Sequence, residues 1–232
     1  FEIQYSDVDG GSYDCFPCLE GNYAVGFNGV RGYDGPVFDF GYSFNVPTQD
    51  VVDAFEDGDI RLGYSILDIK QWIADHPGSS YNEDAGYEQT GYYNRKYIAR
   101  LGDANRPDAA LTNPNNTRAI RFADVLLMAA EALNRGDISD TRAQDYLNRV
   151  RRRAFGDTLH DITTTGSNLT NAIYHERRVE LVGEGHRFFD LVRTGKAAQV
   201  IPGFQAGKNE LFPIPIEEIE LSGNRWQQNP GY

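Results

Sequence analysis

No run of 18 apolar residues occurs in this 232-residue chain, so nothing in it reads as a membrane-spanning helix. The chain also lacks a basic segment followed by a short apolar core at its start, the mark of a secretory leader. Phe1-Glu2-Ile3-Gln4-Tyr5 reads instead as a strand inside a domain. Basic charge is scarce: 22 Lys and Arg stand against 34 Asp and Glu, for a net charge of −12. An acidic surface repels phosphate backbones, which argues against nucleic acid as a partner. Cysteine is confined to Cys15 and Cys18, too few for a four-thiolate zinc site. Their CxxC lies in a Gly- and Tyr-rich loop, not at a helix N-terminus after a strand, so it lacks the setting that activates a redox thiol. Histidine is limited to four residues. His175-Glu176 opens like a zinc-hydrolase helix motif, but the second ligand would stand at position 179, which is Val. No metal site is expected from the histidines.

Aromatic residues and glycine, by contrast, are plentiful and clustered. The first 45 residues hold eight Gly and eleven aromatics in no helical period, which predicts irregular loops with short strands. The acidic excess sits there too: residues 1–118 carry 19 acidic and 8 basic side chains, and residues 119–232 carry 15 and 14. Phe38, Phe40, Tyr42 and Phe44 alternate, which predicts one buried face. Tyr92 to Ile98 alternates like a strand, whereas 51–55 and 63–75 read as helical or mixed segments.

From Arg121 the period becomes 3.6. Phe122, Val125, Leu126, Ala129 and Leu133 form one stripe, widened by Leu127 and Ala130. Gly136 is placed to end that helix. Ser139 or Asp140 can cap the next, whose stripe is Ala143, Tyr146, Leu147, Val150 and Ala154, stopped by Gly156. Two helices over 121–135 and 140–154, joined by so short a turn, predict an antiparallel hairpin of tetratricopeptide type. Further helices are expected over 170–182 and 186–193.

Three segments carry a family resemblance: RAIRFADVLLMAAEAL from Arg118, HERRVELVGEGHRFFDLVRTGKAAQVI from His175, and NELFPIPIEEIELSGNRWQQNPGY from Asn209. Together they resemble the C-terminal part of the SusD/RagB family. The likeness is specific from about Asn113 onward and weaker in PTQDVVDAFEDGDIR and YNRKYI. It implies a mainly α, SusD-like fold with a tetratricopeptide-like hairpin, long irregular loops and a few short strands. Residues 1–118 would form a loop-rich ligand or partner surface, and 119–232 a helical region. The implied function is non-catalytic capture of an oligosaccharide at the surface of a Bacteroidetes-type bacterium. The glycan would be held for a SusC-type TonB-dependent outer-membrane transporter. The resemblance further implies a C-terminal fragment, an N-terminal half of the same protein as partner, and an outer-membrane lipid anchor outside this chain. Alternatives are a peptide ligand, as in the RagB branch, a pure interaction module docking on the transporter, and a two-carboxylate glycosidase.

Within that frame Glu176, Arg177, Glu180 and Arg187 read as structural ion pairs, because Arg177 and Glu180 share a helical stripe with Ile173 and Leu181 and buried charge persists only when paired. For an exported protein of this family, Cys15 and Cys18 are expected to form a disulfide. Tyr13, Tyr23 and Tyr33 are the expected sugar-stacking faces, with Asn28 and Arg31 as hydrogen-bonding neighbours. No cofactor is expected. Asp7-Val8-Asp9-Gly10 matches the opening of a calcium loop, but its twelfth position is Cys18 where a Glu is needed. Calcium at Asp7 and Asp9 is therefore the lesser reading beside a solvated acidic turn.

Overall fold

The computed structural model describes residues 1–8, 20–84, 89–103 and 111–232. In chain order the elements of the first part are β1 (Glu2–Ile3), α1 (Tyr23–Asn28), α2 (Gln49–Val52), α3 (Arg61–Ser65), β2 (Ile66–Asp68), α4 (Ile69–Asp75), β3 (Tyr92–Asn94) and β4 (Thr117–Arg118). The long helices follow: α5 (Phe122–Arg135), α6 (Asp140–Phe155) and α7 (Gly166–Glu180). The short α8 (Arg187–Arg193), α9 (Ala197–Val200) and α10 (Ile216–Leu221) complete the chain. The protein is thus mainly helical, with only short strands among the described residues. None of its described helices is long and apolar enough to cross a membrane.

The hairpin of α5 and α6 forms as its sequence dictates. The Ser139 side chain accepts the Arg142 N–H and satisfies one orphan donor of α6. Gly156, left-handed at φ 79°, ends that helix. Gly136 caps α5, although the residue that takes positive φ in the turn is Asp137, at 52°. The core between α5, α6 and α7 is built from Ala123, Leu126, Leu127, Ala130, Leu133, Ala143, Leu147, Val150, Leu169 and Ile173. Each fully buried Leu or Ile there contributes about 1.5–3 kcal/mol.

The expected α5 stripe is rotated. Phe122 is 66% exposed and Val125 42%, whereas Leu127 and Ala130 are fully buried. The cause is that α5 packs against both α6 and α7, and a helix apolar over most of its surface has no period that selects one arc. Helix α7 begins a turn earlier than expected, where Asp140 accepts the Gly166 N–H at 2.7 Å.

A second core gathers Val30, Phe38, Leu67, Ile69, Tyr93 and Ile98 around the antiparallel pair β2–β3, in register Ile66↔Asn94 to Asp68↔Tyr92. The expected strand over 92–98 stops at Asn94, whose side chain accepts the Lys96 N–H and opens a 3-10 turn over Arg95–Tyr97. β1 pairs antiparallel with β4, Glu2 opposite Arg118.

The chain divides into two compact units, Phe1–Glu184 and Gly185–Tyr232. The composition shift near residue 118 does not coincide with that division. Basic residues of the first half, Arg61 and Lys96, pair with Glu176, Glu180 and Glu184 of the helical part.

Candidate functional site

The site begins at Asn22, buried just before α1. Its Oδ1 accepts the Ala24 N–H at 3.1 Å and starts the helix. Helix α1 is only six residues long, so its last carbonyls need outside partners. The segment 42–44 supplies them: Tyr42 N–H donates to Gly26 O (3.0 Å), Phe44 N–H to Phe27 O (2.8 Å), and Ser43 N–H to Gly29 O (2.8 Å). Such an approach needs two glycines. A Cβ at Gly41 would lie 2.1 Å from the Gly29 carbonyl carbon.

This docking gathers five aromatic rings. Phe27 lies 5.8 Å from Tyr23, 5.5 Å from Tyr42 and 5.9 Å from Phe44, and Phe40 meets Tyr42 edge-on at 4.8 Å. Three of them stay open to solvent: Tyr23 is 49% exposed, Phe40 45% and Phe44 55%. The Arg31 guanidinium sits 6.0 Å over the Tyr42 ring. Ser43 and Asn45 hold positive φ, 59° and 54°, a conformation that costs non-glycine residues about 1–3 kcal/mol and clusters at functional sites. Ser43 is held there by its Oγ, which accepts the Arg31 N–H at 2.9 Å, and by its carbonyl, which accepts from Gln89 at 3.0 Å.

The expected alternating face of Phe38 to Phe44 is therefore not a buried strand. Phe38 is buried, but Phe40 and Phe44 face solvent, because the segment leaves the second core at Phe38 to dock on α1 through residues 42–44, where Ser43 turns left-handed. Tyr23, Phe40 and Phe44, linked through Phe27 and Tyr42, are the candidate interaction surface. It offers flat apolar faces for the C–H side of a pyranose, with Arg31 beside them for hydroxyls.

The other candidates of the sequence reading divide. Tyr23 and Arg31 belong to the patch. Asn28 is buried, its Oδ1 accepting from Asn45 at 3.3 Å. Tyr33 turns inward onto Phe38 (5.5 Å) and its hydroxyl accepts the Trp72 indole N–H at 3.1 Å; both are removed from the candidate face. Tyr13, Asp9 and the expected Cys15–Cys18 disulfide lie outside the described residues, while Asp7 sits half-buried in the first segment. Phe27, Phe40, Tyr42 and Phe44 were not among the expected contacts. The usable signal was the pair Gly29 and Gly41 flanking two aromatic runs.

The charged box on α7 is an ion-pair lattice. Glu176 is fully buried between Arg61 (2.5 Å) and Arg151 (2.9 Å). Glu180 receives Arg61 (3.0 Å), Arg121 (2.8 Å) and Arg153 (2.6 Å). Glu184 receives Lys96 (2.6 Å) and Arg121 (2.7 Å), and Arg177 pairs with Asp124 at 2.6 Å. Arg187 opens α8 in the C-terminal unit with an exposed side chain. Burial raises the Glu180 pKa, but hydrogen bonds from Arg153, Arg121 and Arg61 outweigh it and hold the carboxyl at about 2. For Lys96, burial lowers the pKa against the pull of Glu184. A carboxyl ionised to about pH 2 has no proton to donate near neutrality, so Glu180 is unsuited to general-acid work. Two histidines are likewise structural: His76 stacks on Trp72 at 3.8 Å and His160 on Phe155 at 4.0 Å.

A helical scaffold with long loops and a few short strands matches the SusD-like fold in comparison with known proteins. The SusD family profile matches residues 4–210. SusD-like protein P2 of Formosa agariphila is 28% identical, covering 91% of this chain and 45% of its own. Surface glycan-binding protein A from Bacteroides fluxus superposes with a TM-score of 0.83 at 32% identity, over 100% of this chain and 50% of the other. The corresponding protein from Bacteroides thetaiotaomicron, in complex with laminarihexaose, gives 0.79 at 29% identity, over 99% and 51%. The chain belongs to the SusD family. It spans about half the length of these relatives.

Proposed function

We propose that the chain contributes to non-catalytic capture of an oligosaccharide at a bacterial cell surface. The observation that carries this reading is the exposed patch of Tyr23, Phe40 and Phe44 on a strained but well-anchored backbone. Stacking supplies the affinity, and Arg31 supplies hydrogen bonds to ring hydroxyls. The related protein with laminarihexaose bound supports a glycan as the ligand class. The engagement of Glu176, Glu180 and Glu184 by guanidinium and ammonium groups supports binding without bond cleavage. Family membership supports delivery to a SusC-type transporter from a lipid-anchored position, with the other half of a relative-length protein completing the binding face.

A glycan array probed with the intact protein, including laminarin oligosaccharides, tests the ligand class. Isothermal titration of Tyr23→Ala and Phe44→Ala against the best hit then tests the site. Each substitution is expected to weaken binding by about 1–3 kcal/mol, taking the range for a nucleic-acid base stacked on an aromatic as the guide. Undiminished affinity in the double variant would refute the platform. Product release from any arrayed glycan would refute the non-catalytic reading, and binding confined to peptides would move the ligand to that class.

A further inference from the structure

A concavity of about 500 Å³ is lined by Arg95, Arg100, Asn113, Asn115, Asn116 and Arg118, among others. Its wall is the loop 113–117, which Asn22 staples in place. Asn22 N–H donates to Asn113 O at 2.8 Å, and its Nδ2 to Asn115 O (2.8 Å) and Thr117 Oγ1 (3.2 Å). The wall is therefore pre-formed.

The lining amide acceptors are already occupied by the protein. Asn113 Oδ1 takes the Asn115 N–H (2.9 Å), Asn115 Oδ1 takes Arg118 (2.9 Å), and Asn116 Oδ1 takes the Tyr5 N–H (3.0 Å). The two acids at the rim are engaged as well: Glu2 accepts from Asn116 (3.1 Å) and faces Arg118 Nε at 3.9 Å, and Asp103 accepts the Arg100 N–H (3.0 Å). The lining carries four cationic side chains, Arg95, Lys96, Arg100 and Arg118, against two carboxylates, and its uncommitted donors decide what it attracts. Asn113 is 1% exposed, and its Nδ2 has no partner among the described residues. The Asn115 N–H on Oδ1 fixes which end of that amide is left over. Arg118, stacked 5.0 Å over Tyr97 and anchored through Nη1, and the exposed Arg100 add guanidinium N–H groups.

A neutral sugar hydroxyl gains nothing from the basin's excess positive charge. A carboxylate or sulfate ester only accepts and gains charge-assisted bonds. A smaller cavity of about 290 Å³ shares Lys96 and Arg118 with the basin; its carboxylates Glu180 and Glu184 are already paired with Arg61, Arg121, Arg153 and Lys96, and its Tyr64, 74% exposed, offers a stacking face for the ring that bears the charge.

We propose that this basin, centred on Arg100, Asn113 and Arg118, binds the anionic substituent of an acidic saccharide. The proposal rests on the glycan-binding reading above and adds the class of glycan. Because the chain carries a net charge of −12, general electrostatics repels a polyanion, and retention of one reports a specific site.

The test is isothermal titration of the intact protein with an oligogalacturonate, a sulfated galactan oligosaccharide and laminarihexaose. It is repeated on Arg100→Gln and Asn113→Asp, with Arg100→Gln as the conservative surface variant if Asn113→Asp misfolds. At least one acidic saccharide is expected to bind and to lose about tenfold or more in affinity in each folded variant. Any binding of laminarihexaose is expected to be unchanged in Arg100→Gln. Preference between the uronate and the sulfate identifies the substituent. Binding of laminarihexaose with neither acidic probe retained would overturn the basin and leave the glycan reading intact. Binding of no saccharide at all would overturn both. Acidic binding that is lost in Tyr23→Ala but unmoved by Arg100→Gln would also overturn the basin.

Discussion

Glu180→Gln isolates the ion-pair lattice. The native carboxylate is 3% exposed and bonded to Arg61, Arg121 and Arg153. Its pKa is held at about 2 against a usual 4.5, which corresponds to about 3 kcal/mol of stabilisation at neutral pH. After substitution Arg121 keeps Glu184, Arg61 keeps Asp59 and Glu176, and Arg153, more than half exposed, can turn to water. The loss therefore falls at the low end of the 3–5 kcal/mol range for breaking a buried pair. In urea this is a midpoint shift of about 1 M. The pH dependence has a definite sign. A depressed pKa means the stabilisation is complete above about 4.5 and is lost as pH falls toward 2. Wild type and variant should differ fully at pH 7 and converge near pH 2, with the affinity of any glycan unchanged at pH 7. Equal midpoints at pH 7, or a gap that persists undiminished at pH 2, would refute the argument. Normal folding with abolished binding would make the box functional.

Leu147→Asp, at a fully buried position, should cost several kcal/mol in thermal unfolding, whereas Phe122→Asp on the outer face of α5 should shift the midpoint little; equal effects would mean the packing faces are misassigned. Tyr33→Ala, at a half-buried position, should lower stability by about 1–3 kcal/mol without a specific loss of glycan affinity, the reverse of Tyr23→Ala, and titration beside calorimetry separates the two. Gly41→Ala should cost about 1–3 kcal/mol through steric overlap with Gly29 and disturb the aromatic patch, read as altered near-ultraviolet circular dichroism. Cys15 and Cys18 should be found oxidised by non-reducing mass spectrometry of exported protein, and two free thiols would contradict this.

The helical half was legible because its signals are local. Ser139, Gly136 and Gly156 lie at the ends of helices, and the stripe Ala143–Leu147–Val150–Ala154 faces the core. The arc buried by α5 was not, because Phe122 and Leu127 are equally apolar and only the positions of α6 and α7 choose between them. The lattice was half legible. Charges on the Ile173 face of α7 implied buried pairing, but their partners Arg61, Lys96 and Arg151 lie 25 to 119 residues away, and no spacing rule connects them. The aromatic loops announced a surface without saying which rings would form it. Tyr33 and Tyr23 have similar neighbours in sequence, yet one meets Trp72 and the other meets water. That outcome is set by tertiary pairing, Asp34 with Ser80 beside Tyr33 among it, which no local pattern encodes.

The Gly29–Gly41 crossing has a consequence for how such a surface could change over generations. Residues 42–44 are fastened to α1 through main-chain N–H and C=O groups and through two positions with no side chain. The side chains at 40 and 44 take no part in that main-chain fastening and stand half-exposed beside Tyr42 and Phe27. Their identities can therefore vary at little expense to the scaffold, while Gly29 and Gly41 cannot. The loop is a fixed mount with exchangeable tips, and on the proposed function a change of ligand preference would need only point substitution, without refolding the loop.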